Sequence, residues 1–153
     1  GARVRIAAAE AAVHDADIVV TATRSAEPVF DGAWLAPGAF VAAIGTSTPK
    51  VRELDDTTMS RAERIIVEWK PQSLVEAGEI VLWSERHQAG RYVDLPQLFG
   101  GEAPWHLERR GITVFKSVGV GLADVATAQL VLARAREGWL LTDHADTAMG
   151  ALT

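Results

Sequence analysis

The sequence has no cysteine among its 153 residues, which excludes disulfides, thiolate metal ligands and cysteine nucleophiles. It has no basic run, and a formal net charge of −5 argues against a nucleic-acid partner. Its longest apolar runs are strand-sized, far short of a membrane span. Gly1–Ile6 carries Arg3 and Arg5 with no apolar signal-peptide core behind them. These absences predict a cytoplasmic protein with neither a nucleic-acid nor a membrane partner. A glycine-rich G-x-G-x-x-G turn after a strand, the usual mark of a dinucleotide fold, is also missing. "GVGLAD" (119–124) comes near it, but only after several other strand patterns. His14, His87, His106 and His144 are scattered, with no i, i+4 pair and no carboxylate at ligand spacing. They read as surface or capping residues, and no metal is expected. The five tryptophans are spread too widely to form a stacking platform.

What is present is ordinary globular material, 48% hydrophobic and 23% charged, enough for one domain with a sizeable core. The first residue is Gly1, and the chain is expected to begin inside a longer polypeptide. Arg3–Ile6 reads as a short strand and Ala8–Val13 as an alanine-rich helix. "DIVVTAT" (17–23) and "AFVAAIGT" (39–46) are apolar runs ending in small residues, the pattern of strands buried on both faces of a parallel sheet. "EPVFDGAWLAPGA" (27–39) reads as turns around a short amphipathic piece. "ELDDTTMSRAE" (53–63) has helical spacing and Arg64–Trp69 is another strand. "PQSLVEAGE" (71–79) places Pro71 at a helix start and Gly78 just past its end. A looser stretch, Ile80–Arg110, precedes the strand Ile112–Phe115 and a helix from about Leu122 to Arg136. In that helix Asp124 suits the dipole of the first turn. The tail 142–153 is weakly patterned.

Strands alternating with helices make this an α/β chain with a mainly parallel sheet. Parallel strands joined by right-handed crossovers bring their carboxyl ends to one edge. Thr21-Ala22-Thr23, Gly45-Thr46-Ser47 and Ser117-Val118-Gly119 each follow a strand, and are expected to meet there. Such small residues let a flat ligand approach the backbone, although strand ends also use small turn formers for their own sake. Glu76-Ala77-Gly78-Glu79 reads mainly as a helix stop whose acids could line a cleft.

The segments "DADIVVTAT", "EPVFDGAWLAPGAFVAAIG", "REL", "EAGE" and "TVFKSVGVGLADVATAQLV" occur in an order that resembles the ornithine cyclodeaminase/mu-crystallin family, from about Ala16 to Ala135. The resemblance implies a Rossmann-like, doubly wound, mainly parallel sheet that lacks the first strands and the glycine-rich turn. Residues 1–138 would be a partial NAD(P)-binding domain and 139–153 a C-terminal tail. It implies NAD or NADP as cofactor, a small imino or amino acid substrate and a homodimer in the full-length protein. Thr21, Ala22 and Thr23 would lie along the cofactor's pyrophosphate and ribose, and Ile44 and Gly45 toward the nicotinamide ribose. Ser117, Val118 and Gly119 would close the nicotinamide pocket. Ser47 and Lys116 would be the catalytic candidates, Ser47 nearest the substrate and Lys116 at or beside the substrate mouth.

The resemblance also bears on the reaction. Cyclodeaminases resemble one another in a G-x-D-x-P-G-K-x-E-L stretch whose Asp acts on the substrate amine. Here "GTSTPKVREL" (45–54) matches at Gly45, Pro49, Glu53 and Leu54 but has Ser47 in place of the Asp. A hydroxyl does not take up a proton near neutral pH as a carboxylate does. Ser47 and Lys116 are both similar to the ketimine-reductase branch. The implied activity is NAD(P)H-dependent reduction of a cyclic ketimine, with ornithine cyclisation or non-catalytic, mu-crystallin-like ligand binding as the alternatives. Ser47→Asp in a complete parent protein is expected not to confer ornithine cyclisation alone, because Lys50 and Val51 stand where that pattern has Gly and Lys. Proline formed from ornithine by that mutant, at a rate near its imine reduction, would contradict this.

Overall fold

The computed structural model describes residues 3–83, 91–103 and 110–136. The readings made for His87, His106, His144, Trp105, Trp139 and the tail lie outside these residues. Residues up to Val118 form one compact unit, and a second begins at Gly119.

The first unit is built on five strands, β1 (Ile18–Thr21), β2 (Phe40–Ala43), β3 (Ala62–Val67), β4 (Tyr92–Asp94) and β5 (Ile112–Lys116). They form one sheet in the order β1-β2-β5-β3-β4, and every pairing is parallel. The last strand therefore inserts into the middle. Four strands fall where apolar runs predicted them. The fifth, β4, is only three residues long and hides in the stretch read as loose.

The helices are α1 (Ala9–Val13), α2 (Asp56–Arg61), α3 (Lys70–Glu76), α4 (Gly78–Val81) and α5 (Leu95–Phe99), with a 3-10 turn at Gly32–Trp34. Their starts follow local chemistry. Asp55 caps α2 by accepting from the Thr58 N–H at 2.7 Å. Asp94 ends β4 and caps α5 in a reciprocal box with Gln97. Pro71 lies in the first turn of α3, where its missing N–H costs nothing. The second unit contains α6 (Gly121–Arg136), with Asp124 in its first turn and Arg134 and Arg136 in its last, the charge order that suits a helix dipole.

One sheet face is closed. Val19, Val41, Ala43, Ile65, Val67, Ile112 and Val114 pack with Leu54, Met59, Ala77, Ile80 and Trp83 in a single core. Alternate residues face the other way. Ile18 and Val20 of β1 are 66% and 59% exposed, so this strand is buried on one face and not on both as its unbroken apolar run suggested. Among the described residues no helix is long and apolar enough to cross a membrane.

One reading of an element needs correction. Arg3–Ile6 is exposed and forms no strand. Its β-branched residues favour extended backbone, but no ladder pairs with them, and a strand is stable only in a sheet. Gly78 lies just past the end of α3, as expected, and also opens α4. Glycine is required there on steric grounds as well: a Cβ would overlap the Val51 carbonyl oxygen and lie 2.8 Å from that of Thr48. Gly78→Ala is therefore expected to destabilise the fold by about 1–3 kcal/mol through overpacking, measurable by urea denaturation. An unchanged midpoint would mean that the loop at Thr48–Val51 yields freely.

Candidate functional site

The ladder register aligns the carboxyl ends of the strands. Thr21 pairs with Ala43, Ala43 with Lys116, Lys116 with Val67 and Val67 with Asp94. This last rung crosses the whole sheet, and all five of its residues are buried. The segments Thr21–Thr23, Gly45–Ser47 and Ser117–Val118 leave from it, at the edge where ligands bind in open α/β sheets.

What joins the first two segments is Glu53, in the loop between β2 and α2. Its carboxylate accepts from the Thr23 N–H at 2.6 Å and the Thr23 hydroxyl at 2.7 Å, both on Oε1. Oε2 accepts from the Gly45 N–H at 2.8 Å and the Thr21 hydroxyl at 3.1 Å. The backbone of Glu53 is also engaged, its N–H donating to Glu79 Oε1 at 2.9 Å and its carbonyl accepting from the Val29 N–H at 2.9 Å. Glu53 has no exposed surface. Burial alone would push its carboxyl up, but the Thr23, Gly45 and Thr21 donors outweigh that and hold it below its usual value of 4.5. The charge is thus retained inside the protein without a cation directly on it.

Beneath this lies an ion pair. Lys116 Nζ is 3.0 Å from Glu79 Oε2, and both side chains are fully buried. The ammonium also donates to the Thr46 carbonyl at 2.6 Å and approaches the Thr46 hydroxyl at 3.3 Å. Breaking a buried pair on one side typically costs about 3–5 kcal/mol, so this contact fixes the end of β5 against the loop after β2. On the far side Glu68, next after β3, takes the Ser117 hydroxyl at 3.0 Å and the Val118 N–H at 2.9 Å.

The expected site residues divide accordingly. Ala22, Thr23, Ile44 and Ser47 are exposed at the strand ends, and Gly45 is half-buried. A Cβ on Gly45 would overlap the Thr23 backbone, so glycine is required there for the segments to touch. Ser117 and Val118 are half-buried, and Gly119 has a φ of 79°, in the left-handed region. Two side chains are not where a ligand-facing role would put them. Thr21 turns its hydroxyl inward to Glu53, leaving only its backbone toward the edge. Lys116 is at the end of its strand, but its ammonium is buried against Glu79 and has no exposed surface. A counter-charge in the core explains the difference.

Sequence reasoning missed Glu53, Glu68 and Glu79 as organisers. The first and last belong to "REL" and "EAGE", each directly before an apolar residue (Leu54 and Ile80), and that is the only local signal they give. A cavity of about 380 Å³ lined by Arg61, Glu63, Arg110 and Ile112 lies at the amino ends of β3 and β5, the edge opposite to these residues.

Comparison with known proteins agrees with this arrangement. The sequence profile of the ornithine cyclodeaminase/mu-crystallin family matches residues 2–139. The ketimine reductase mu-crystallin of Mus musculus is 38% identical over 120 residues, 78% of this chain and 36% of that protein. The crystal structure of a probable ornithine cyclodeaminase from Bordetella pertussis superposes with a TM-score of 0.80 at 45% identity, covering 88% of this chain and 44% of that one. Delta(1)-pyrroline-2-carboxylate reductase of Thermococcus litoralis, solved with NADH and L-proline, gives 0.75 at 29% identity over 87% and 42%. The chain spans less than half the length of these relatives. The parallel sheet described above is similar to their Rossmann-like folds.

The lowered Glu53 carboxyl makes a pH prediction. A group whose folded pKa lies below its unfolded value stabilises the protein above the unfolded value. That contribution is lost as pH falls through the folded one. The Glu53 contribution is therefore intact above 4.5 and fades below it. Melting temperature is expected to fall on acidification in that window, and to fall less steeply in Glu53→Gln, which has nothing to protonate. Parallel curves for the two proteins would contradict the assignment.

Proposed function

The chain belongs to the ornithine cyclodeaminase/mu-crystallin family, and on that premise we propose that it forms the nicotinamide-facing part of an NAD(P)H-dependent imine reductase. The substrate class is a cyclic ketimino acid such as a pyrroline or piperideine carboxylate. The observation that carries the reading is the convergence of Thr21–Thr23, Gly45–Ser47 and Ser117–Val118 on one sheet edge. The likeness to a pyrroline-2-carboxylate reductase solved with NADH supports it.

The residues fit a flat dinucleotide. Ala22 leaves the backbone open, and Gly45 cannot carry a Cβ without forcing the two segments apart. In this reading Thr21, Ala22 and Thr23 lie along the pyrophosphate and ribose, Ile44 and Gly45 toward the nicotinamide ribose, and Ser117 and Val118 against the nicotinamide. NAD(P)H, when bound, supplies the hydride. The protein's part is to hold donor and acceptor carbons close and aligned. Ser47, exposed on the loop after β2, stands nearest the substrate as a neutral hydrogen-bonding group. Lys116 acts from below, as the counter-charge that fixes the loop carrying Ser47. Residues 1–138 are read as part of the nucleotide-binding domain and 139–153 as a tail, in a cytoplasmic homodimer.

The 45% identity to a probable ornithine cyclodeaminase favours a second reading, ornithine cyclisation. Ser47 opposes it, because that position then needs a group able to accept a proton. A purified polypeptide containing this sequence decides between them. NAD(P)H oxidation dependent on Δ1-pyrroline-2-carboxylate or Δ1-piperideine-2-carboxylate, without ammonia release from ornithine, is the expected outcome. Ammonia release with no imine-dependent oxidation would reverse the assignment.

A further inference from the structure

We propose that Glu53 is a positioning residue for the nicotinamide cofactor, setting the spacing between the Thr21–Thr23 and Gly45–Ser47 segments against which the cofactor lies. The inference rests on the cofactor reading above and adds to it a residue that touches neither cofactor nor substrate.

Direct contact is ruled out by geometry. Glu53 has no exposed surface, and each carboxylate oxygen already accepts two hydrogen bonds. Its influence must pass through the groups it holds, and these belong to the two segments assigned to the cofactor. Thr23 contributes both its N–H and its hydroxyl, so its backbone position and its rotamer are fixed together. Gly45 contributes its N–H and packs so tightly on Thr23 that a methyl group would not fit between them. Such a contact transmits small displacements, since close-packed groups cannot absorb them.

The carboxylate itself is required, not merely a polar side chain of that size. Four donors converge on two oxygens. An amide keeps the volume but offers one oxygen, and its NH2 group would face a backbone N–H that cannot accept and a hydroxyl that must turn from donor to acceptor. The support beneath is equally specific. Glu79 holds the Glu53 N–H with one oxygen and pairs with Lys116 through the other, so the end of the central strand β5 sets where Glu53 sits. Lys116 in turn holds the Thr46 carbonyl, between Gly45 and Ser47. The loop after β2 is thus gripped from both sides.

The test uses a polypeptide that contains this sequence, as wild type, Glu53→Gln and Thr21→Val. NAD(P)H dissociation constants come from nicotinamide fluorescence, kcat and KM from imine reduction, and Tm from thermal melting. Glu53→Gln, which loses two charge-assisted hydrogen bonds, is expected to weaken NAD(P)H binding about tenfold, with kcat at saturating cofactor within about twofold of wild type. Thr21→Val removes one buried donor and no exposed group, and should weaken binding about two- to threefold. A lowered Tm with an unchanged dissociation constant in both variants would overturn the proposal, leaving Glu53 a purely stabilising residue. So would a fall in kcat at unchanged cofactor affinity. Should Glu53→Gln fail to fold, Thr21→Val decides: wild-type affinity in that variant overturns the proposal. Failure of the wild type to bind NAD(P)H would overturn the cofactor reading and this inference with it, whereas loss confined to the variants supports both.

Discussion

A carboxylate taken out of water must regain its hydrogen bonds from the protein or give up its charge. That requirement, applied to Glu53, organises the carboxyl edge of this sheet. It explains why the strand ends are rich in hydroxyls and glycine: Thr21 and Thr23 supply donors, and Gly45 lets its own N–H come close enough to be one. It also propagates. Holding the Glu53 N–H takes a second buried acid, Glu79, and that acid is stable because Lys116 is 3.0 Å away. Two carboxylates and one ammonium are therefore stacked under the loops, each kept by the next.

The same requirement shows why small residues at strand ends are ambiguous when read from sequence. A threonine there can face a ligand or face the core, and both occur in one triplet. Thr21 is buried with its hydroxyl turned to Glu53, whereas Ala22 and Thr23 are exposed. Even Thr23 has its N–H and hydroxyl occupied by Glu53, so its contribution to a ligand surface is shape more than hydrogen bonding. The segments that looked like a binding edge rest on an internal network of hydrogen bonds.

Much of the fold was legible. The runs read as strands at Ile18–Thr21, Phe40–Ile44, Arg64–Val67 and Ile112–Phe115 are mainly apolar and bounded by turn formers, which is how buried parallel strands read. The failures have separate causes. β4 is three residues, too short for any periodicity. Arg3–Ile6 has strand-like residues but no neighbour, and pairing is not written in a local pattern. Gly78 follows α3 as read, but the second reason for glycine there, the backbone of Val51, lies 27 residues earlier by sequence number. The roles of Glu53 and Glu79 were hidden for the same reason. Apart from Gly45, 8 residues from Glu53, the partners of their side chains lie 26 to 37 residues away, and the grip of Lys116 on Thr46 spans 70. Only the register of the sheet brings such residues together.

That distance matters for interpreting the two positions, Ser47 and Lys116, that set this chain apart from a cyclodeaminase pattern. On sequence grounds they carry equal weight. In the structure Ser47 is exposed at the carboxyl edge of the sheet, so under the proposed function its identity bears on what chemistry can happen there. Lys116 is enclosed, and its identity bears on the charge balance of the core. Without its ammonium, Glu79 would keep a buried negative charge next to the N–H of Glu53 with nothing to offset it, a state that burial penalises heavily. Ser47 and Lys116 therefore belong to different arguments, one about reaction and one about support. They are joined because the lysine holds the carbonyl of Thr46, one residue before the serine. A change at the buried position would reach the exposed one through the hydrogen bonds from Lys116 to Thr46, so the character of this edge depends on residues enclosed beneath it.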